Sequence, residues 1–112
     1  MPIRNGLIEE IEGLKEYYKD GEIHREEEEG PAFDFLDNRL WYKENKLHRL
    51  NGPAVEMFDG TKEWYIEGKL HREAGPAIEH SNGYKEYWYL DKRIRCNSDE
   101  EYIRLINLKL FW

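Results

Sequence analysis

The sequence predicts a mainly β fold: an elongated antiparallel meander of about four hairpin repeats of about 23 residues, closed by a C-terminal capping α-helix. Three observations predict it. A motif that begins with two aromatic residues and ends in His-Arg recurs along the chain. Gly-Pro-Ala follows each complete copy, and the last copy gives way to a stretch with a helix-capping signal. Because a period of this length is typical of repeat architectures, it is the first constraint on the fold.

The repeated motif is clearest in the middle of the chain. Residues 64–72 read WYIEGKLHR and residues 41–49 read WYKENKLHR, while residues 17–25 follow the same frame. We expect a fourth, weaker copy to begin at Trp88. These copies predict a single domain, 1–112, with units at about 6–29, 30–51, 52–74 and 75–97 and a helix over 98–112.

Each unit contains two kinds of turn. A two-residue turn separates the aromatic strand from the Leu-His-Arg strand, at Asp20-Gly21, Glu44-Asn45 and Glu67-Gly68. A second set precedes the aromatic strands, at Glu12-Gly13, Asp37-Asn38, Asp59-Gly60 and Asn82-Gly83. Pro-to-Trp distances of 10, 11 and 12 residues place the insertions in this second set. Since Gly-Pro cannot lie inside a central strand, Gly-Pro-Ala marks the bend between units.

A two-residue loop assigns the faces of each hairpin. Around Glu67-Gly68, Trp64 faces His71 and Glu63 faces Arg72, as an ion pair. The same register in every unit stacks aromatic residues and histidines into ladders along the sheet, which buries a core that no single unit could form. The predicted ladder residues are Tyr17, His24, Trp41, His48, Trp64, His71 and Trp88.

The period and the motif resemble the MORN repeat, and more closely a variant in phage and bacterial proteins that reads WYxxGKLHRxxGPA. Residues 64–77 spell out this variant, and residues 41–54 do so with Asn45 at the turn glycine. The resemblance covers roughly residues 6–97, although His-Arg stands where the MORN repeat has His-Gly. It implies an elongated, twisted antiparallel sheet that serves as an interaction platform and brings no enzymatic activity of its own.

Composition restricts the class of partner. Lys and Arg total 17 and Asp and Glu total 24, which gives a net charge of −7. This balance disfavours direct binding to nucleic acid or to an anionic membrane. No apolar run approaches the roughly 20 residues of a membrane span. The single Cys96 excludes an internal disulfide framework and favours the cytoplasm.

The three repeated histidines are candidate metal ligands, but ligands must converge on one ion at about 2 Å. Equivalent positions in successive hairpins are displaced along the array instead. We therefore expect no metal and no cofactor, with each histidine packed on its cross-strand aromatic residue and bonded to a loop carbonyl. An enzyme built around Cys96 or these histidines is a remote alternative, because no constellation in the sequence resembles an active site.

The arginine that ends each copy is expected to pair with an acid across its hairpin, as Glu16 faces Arg25. In the second unit Leu40 takes the place of that acid and faces Arg49. Structural pairing is the favoured role of the arginine series, and Arg49 is the one member predicted to be free to contact a partner.

Two further segments are candidate contact surfaces. The acidic run Glu26, Glu27, Glu28 and Glu29 falls in a bend with two extra residues, and predicts either a solvated loop or a surface for a basic partner. Ser98, followed by Glu101, is a capping box that begins the C-terminal helix. Phe111 and Trp112 at its end either complete the helical cap or protrude as a hydrophobic anchor.

The function we expect is a non-catalytic protein-binding module. In concrete form it is a small acidic inhibitor, phage-encoded, that occludes a host defence or nucleic-acid enzyme through a basic surface of that enzyme. The alternative is a scaffold, an adaptor or a self-associating structural protein, including a homodimer. The predicted partner-binding residues are Glu26, Glu27, Glu28, Glu29, Arg49, Phe111 and Trp112.

Overall fold

The structure is a computed structural model that describes residues 3–108 of the 112-residue chain. Within these residues the fold is mainly β, an antiparallel meander of 14 short strands followed by one α-helix, as the sequence predicts. The Cα radius of gyration is 15.8 Å and the extents are 49 × 29 × 21 Å. A compact domain of this length has a radius near 13 Å, so the molecule is elongated. No helix among the described residues is long and apolar enough to span a membrane.

The strands are short and follow the predicted units. Those of the first half are β1 (Gly6–Ile8), β2 (Lys15–Lys19), β3 (Glu22–Ile23), β4 (Phe33–Phe35), β5 (Asn38–Leu40), β6 (Tyr42–Lys43) and β7 (Lys46–Leu47). Those of the second half are β8 (Val55–Glu56), β9 (Lys62–Glu63), β10 (Tyr65–Ile66), β11 (Lys69–Leu70), β12 (Ile78–Glu79), β13 (Lys85–Tyr89) and β14 (Lys92–Ile94). A 3-10 turn covers Glu27–Glu29, and helix α1 covers Asp99–Leu108.

In the second and third units the aromatic strand is divided: its first half pairs in the main sheet and its second half pairs in a separate hairpin. The main sheet has the order β1-β2-β4-β5-β8-β9-β12-β13-β14, with β3 beside β2, while β6–β7 and β10–β11 form separate tight hairpins. Trp41 and Trp64 lie at the junction between the two halves. Their backbone N–H groups donate to the backbone carbonyls of Ala54 and Ala77 in the following bends, at 2.8 and 2.7 Å. These alanines are fully buried, which explains why only a small residue follows Gly-Pro.

The tight hairpins have the predicted register. Tyr65 is opposite Leu70, and the His71 N–H donates to the Trp64 carbonyl at 3.0 Å. The turn residues Glu67 and Gly68 both have positive φ, 48° and 82°, as a two-residue hairpin loop requires.

In the fourth unit the predicted alignment is wrong by one residue. The turn lies at Leu90 and Asp91, with φ of 44° and 67°, so Tyr87 rather than Trp88 takes the ladder position. Tyr87 faces Ile94 and is buried, whereas Trp88 faces Arg93. The physical reason is Asp91, because aspartate tolerates the left-handed conformation that glycine or asparagine adopts in the other units.

The second set of turns carries the length differences between units, as predicted. The second unit has a two-residue turn at Leu36 and Asp37, one position before the predicted Asp37-Asn38. The third and fourth units have three-residue loops over 58–60 and 81–83. The Pro-to-aromatic distance is therefore 11 residues in both the third and the fourth unit.

Helix α1 covers the last hairpin. The Ser98 Oγ accepts the Glu101 N–H at 3.1 Å, which confirms the predicted cap. Tyr102 is fully buried, and its ring centroid lies 5.0 Å from that of Tyr87. With Ile106 these residues form the core cluster at this end of the array. The predicted helical positions 109–112, with Phe111 and Trp112, lie outside the described residues.

Candidate functional site

In each of the first three units, the arginine that ends the motif is held between an aromatic ring of its own hairpin and the next bend. Its guanidinium carbon lies 3.8–3.9 Å from the ring centroid, within the range of a cation–π contact. Its Nη1 donates to the carbonyl of the following proline, at 3.0–3.2 Å. The stacked pairs are Arg25 on Tyr17, Arg49 on Trp41 and Arg72 on Trp64. These contacts join each unit to the next and account for the shared His-Arg and Gly-Pro-Ala segments.

The prediction that Arg49 is free was wrong. Its Nη1 donates to the Glu56 carboxylate at 3.2 Å, and Arg72 pairs in the same way with Glu79 at 3.0 Å, not with Glu63. Glu63 instead accepts the Tyr65 hydroxyl proton at 2.9 Å. The arginines turn along the array because the bend brings an acid seven residues later beside them, which a count within one hairpin does not reveal.

The histidines also connect successive units. Each Nδ1 accepts a backbone N–H from the tight turn of the next unit, not the predicted loop carbonyl partner, at 2.9–3.1 Å. The three pairs are His24 with Glu44, His48 with Glu67 and His71 with Leu90. Since Nδ1 accepts, the neutral ring carries its proton on Nε2. Among residues 3–108, no three His, Cys, Asp or Glu side chains lie close enough together to hold a metal ion.

The acidic run is divided between structural and exposed carboxylates. Both Glu27 carboxylate oxygens accept backbone N–H groups of the next bend, from Leu50 at 2.7 Å and from Asn51 at 2.8 Å. Glu26 lies 3.0 Å from His24 Nε2, and this hydrogen bond lowers the pKa of Glu26. Glu28 and Glu29 are exposed. The run is therefore more than a solvated loop, because Glu27 ties the first bend to the second.

A groove lies between the second and third bends. It has a volume of about 700 Å³. Its walls combine polar backbone of the two bends with Trp64, Ile66, Arg72 and Tyr89. The corresponding space between the first and second bends, which Glu27 enters, is about 130 Å³. Of the predicted site residues that the structure describes, Glu27 and Arg49 approach each other, with 4.0 Å between the Arg49 Nε and a Glu27 carboxylate oxygen. The larger groove was not predicted, because it is the space left by a shorter bend.

The edge formed by the second set of turns exposes large apolar side chains. Ile11, Leu36 and Phe58 are 59, 72 and 74% exposed and occupy the turns of the first three units. Successive turns are linked here, as the Phe58 N–H donates to the Asn38 Oδ1 at 3.1 Å. Turns are ordinarily polar, so an apolar residue in each of three turn motifs is the signal by which the sequence could have revealed this edge.

Of the residues in the enzymatic alternative, the three histidines each use Nδ1 to accept a backbone N–H group. Burial, with Glu101 and Asp99 nearby, raises the pKa of the Cys96 thiol, which disfavours the thiolate that a nucleophile needs.

Comparison of this chain with protein-family models, with curated proteins and with solved structures finds no match.

Proposed function

We propose that this chain is a non-catalytic protein-binding module that uses the edge of its second turns, which we call the turn edge. The observation that carries the proposal is the row of exposed apolar side chains, Ile11, Leu36 and Phe58. These residues lie in the turns of three consecutive units. The turns join β1 to β2, β4 to β5 and β8 to β9, so neighbouring turns are offset by two strand positions in the main sheet. At about 4.8 Å per strand, neighbours in the row are spaced by about 10 Å.

An apolar row of this kind supports a protein partner over a small ligand. Its side chains are more than half exposed on turns at one edge of the sheet, and large exposed apolar patches mark protein contact sites. The row also spans three units, or about 20 Å, which is longer than a small ligand but suits the surface of a protein.

The net charge of −7 and the exposed carboxylates of Glu28 and Glu29 favour a partner with a basic surface. The inhibitor form of the proposal, a phage protein that occludes a host defence or nucleic-acid enzyme in the cytoplasm, is supported by this charge, by the single Cys96 and by the resemblance to phage MORN-like repeats.

A self-associating scaffold is a second candidate, favoured by strand β1. This strand pairs only with β2 among the described strands, and Leu7 on it is 50% exposed. An open strand edge can pair with the same edge of a second copy.

Affinity capture from the native host tests the proposal with two variants. Leu36→Asp with Phe58→Asp removes the apolar row, and aspartate tolerates the positive φ of residue 36. Leu7→Asp is the control, at similar exposure but on β1. We expect the wild type and Leu7→Asp to retain the same host protein and the double variant to lose it. Retention by all three would contradict the proposal, and self-association lost only in Leu7→Asp would favour the scaffold.

A further inference from the structure

The groove between the second and third bends corresponds to a site that a carboxylate of the chain occupies at the preceding pair of bends, and no carboxylate of residues 3–108 takes that place here. At the filled site, one carboxylate of Glu27 accepts the N–H groups of Leu50 and Asn51 at 2.7 and 2.8 Å. These two residues directly follow the stacked Arg49. Glu73 and Ala74 follow Arg72 in the same way.

The two bends share their arginine contacts. In both, the arginine donates to the carbonyl of the proline four positions later, at 3.0 Å for Arg49 and 3.2 Å for Arg72. In both, the arginine also pairs with the glutamate seven residues later, Glu56 or Glu79, at 3.2 and 3.0 Å. From the same contacts at the same spacing we infer that the backbone N–H groups of residues 73 and 74 are oriented as those of residues 50 and 51 are.

What differs is the bend that stands above each pair of N–H groups. In the first bend five residues lie between Arg25 and Pro31, and this extra length carries Glu27 over the second bend. In the second bend only three lie between Arg49 and Pro53. Among residues 3–108 no side chain accepts a hydrogen bond from the N–H groups of Glu73 and Ala74. The space is correspondingly larger, about 700 Å³ against about 130 Å³.

We propose that this groove binds a side-chain carboxylate of an acidic peptide segment in a protein partner, which takes the place that Glu27 takes one unit earlier. The carboxylate accepts the N–H groups of Glu73 and Ala74, and the guanidinium of Arg72 adds positive charge beside it. The residues that flank the acid pack on Trp64, Ile66 and Tyr89. The proposal rests on the protein-binding function but uses a different edge of the sheet from Leu36 and Phe58, so the acidic segment is a separate part of the partner from the basic surface that the net charge favours.

Amide chemical shifts of the ¹⁵N-labelled protein test the proposal with two capped tripeptides, Ac-Leu-Glu-Leu-NH₂ and Ac-Leu-Gln-Leu-NH₂. We expect the first to shift the amides of Glu73 and Ala74 saturably. The second should bind about tenfold more weakly, because a hydrogen bond to a charged acceptor exceeds one to a neutral acceptor by about 1.4 kcal/mol. The amides of Leu50 and Asn51 should not move, since Glu27 already occupies them.

Two variants make the test specific. Glu27→Ala empties the first site, so the amides of Leu50 and Asn51 should begin to respond to the glutamate peptide. Inserting two glutamates between Leu50 and Asn51 gives the second bend the length of the first, and should abolish the response at Glu73 and Ala74. An unchanged response in the insertion variant would contradict the proposal.

Other outcomes overturn the inference without affecting the turn edge. These are equal shifts with both tripeptides, no shift at Glu73 and Ala74, or shifts there that depend on protein concentration alone and so assign the groove to a second copy. The Leu36→Asp, Phe58→Asp variant should bind the glutamate peptide normally. Loss of host capture in that variant and loss of peptide binding are therefore separate results.

Discussion

The glycine of each Gly-Pro-Ala bend faces the guanidinium group of the preceding arginine. A Cβ added at Gly52 would lie 2.9 Å from the Arg49 Cζ, whereas one at Gly75 would lie 3.5 Å from its nearest atom, the Arg72 Nη1. Neither glycine has a positive φ, so contact alone separates them. A Cβ at residue 52 would therefore force Arg49 away from its aromatic ring and its proline carbonyl. A Cβ at residue 75 would make only an ordinary van der Waals contact with Arg72.

We therefore predict that Gly52→Ala lowers the free energy of unfolding by about 1–3 kcal/mol, as overpacking does. Gly75→Ala is the matched control and should change it by less than about 0.5 kcal/mol. Urea unfolding of both variants gives the comparison. Equal losses would mean that the arginine clamp tolerates displacement.

His71 makes stability depend on pH. Burial lowers its pKa below the ordinary 6.5, and the carboxylate of Glu73 opposes this shift only in part. Below pH 6.5 the unfolded chain therefore binds a proton at this site more readily than the folded chain. Stability is fully present above 6.5 and is lost as the pH falls from there through the folded pKa. Protonation of Nδ1 also removes the acceptor for the Leu90 N–H.

We predict that His71→Asn, which keeps an acceptor near the Nδ1 position but does not titrate, flattens the dependence of unfolding free energy on pH between 5 and 7. Chemical denaturation at several pH values measures this slope. His80→Asn is the control, since His80 lies outside the repeat and contacts Glu86 instead. A slope that is unchanged in His71→Asn and reduced only in His80→Asn would contradict the assignment.

The recurring residues and their neighbours within one hairpin could be predicted from the sequence, but their partners in the next unit could not. Counting across a two-residue loop places Trp64 opposite His71 correctly. It gives the wrong partner for Arg72, because Glu79 approaches from the next unit. Contacts between units depend on how far each bend advances the chain, and a register within one hairpin contains no information on that distance.

At the scale of the element, turn chemistry determined which hairpins could be predicted. Glycine or asparagine at the second turn position fixed three registers correctly. The fourth turn has Leu90 and Asp91, and leucine is unfavourable at a φ of 44°. Without glycine or asparagine to mark the turn, the Trp-Tyr pair alone set the predicted alignment, and it placed the turn one residue too late. The neighbouring unit stabilises this turn, since the Asp91 Oδ1 accepts the Leu70 N–H at 2.8 Å.

The register of the fourth hairpin predicts unequal effects of two adjacent aromatic substitutions. Tyr87 is buried against Tyr102 and donates its hydroxyl proton to Asp99 at 2.6 Å, so Tyr87→Ala should cost about 3–5 kcal/mol. Trp88→Ala, at a half-buried position on the other face, should cost at least about 1 kcal/mol less. Thermal and urea unfolding of both variants decide the point. A larger loss in Trp88→Ala would restore the alignment that the aromatic pair indicated.

Helix α1 substitutes for a fifth unit at the end of the array. The Tyr102 hydroxyl lies 2.6 Å from the carbonyl of Arg72 and 3.0 Å from that of Trp88, so the helix reaches back to the third unit. The cap at Ser98 was predictable because it is a local signal over four residues. The use of Tyr102 was not, since its contacts lie 14 and 30 residues away in sequence.

Over the whole molecule, stability is distributed along the array rather than concentrated in a central core. The fully buried alanines, the stacked arginines and the histidine acceptors recur at each junction between units, and each contact joins neighbours only. Such a chain behaves as a sum of units and of nearest-neighbour interfaces. The elongated meander was predictable from the period, while the exposed turn edge and the groove depend on how individual units depart from it.

This organisation predicts that one complete unit can be removed. Deleting residues 52–74 joins Asn51 to Gly75 and keeps three residues between Arg49 and the next proline, Pro76. The His48 Nδ1 then accepts the N–H of Leu90, which takes the place of the Glu67 N–H of the deleted unit. We expect a folded protein that unfolds cooperatively, with a urea m-value lower by about a fifth because less surface is exposed on unfolding. Deleting only 52–69 removes fewer residues but breaks the period, and should leave the chain unfolded by circular dichroism. If the shorter deletion folded as well as the longer one, the contacts between units would not be what holds the array together.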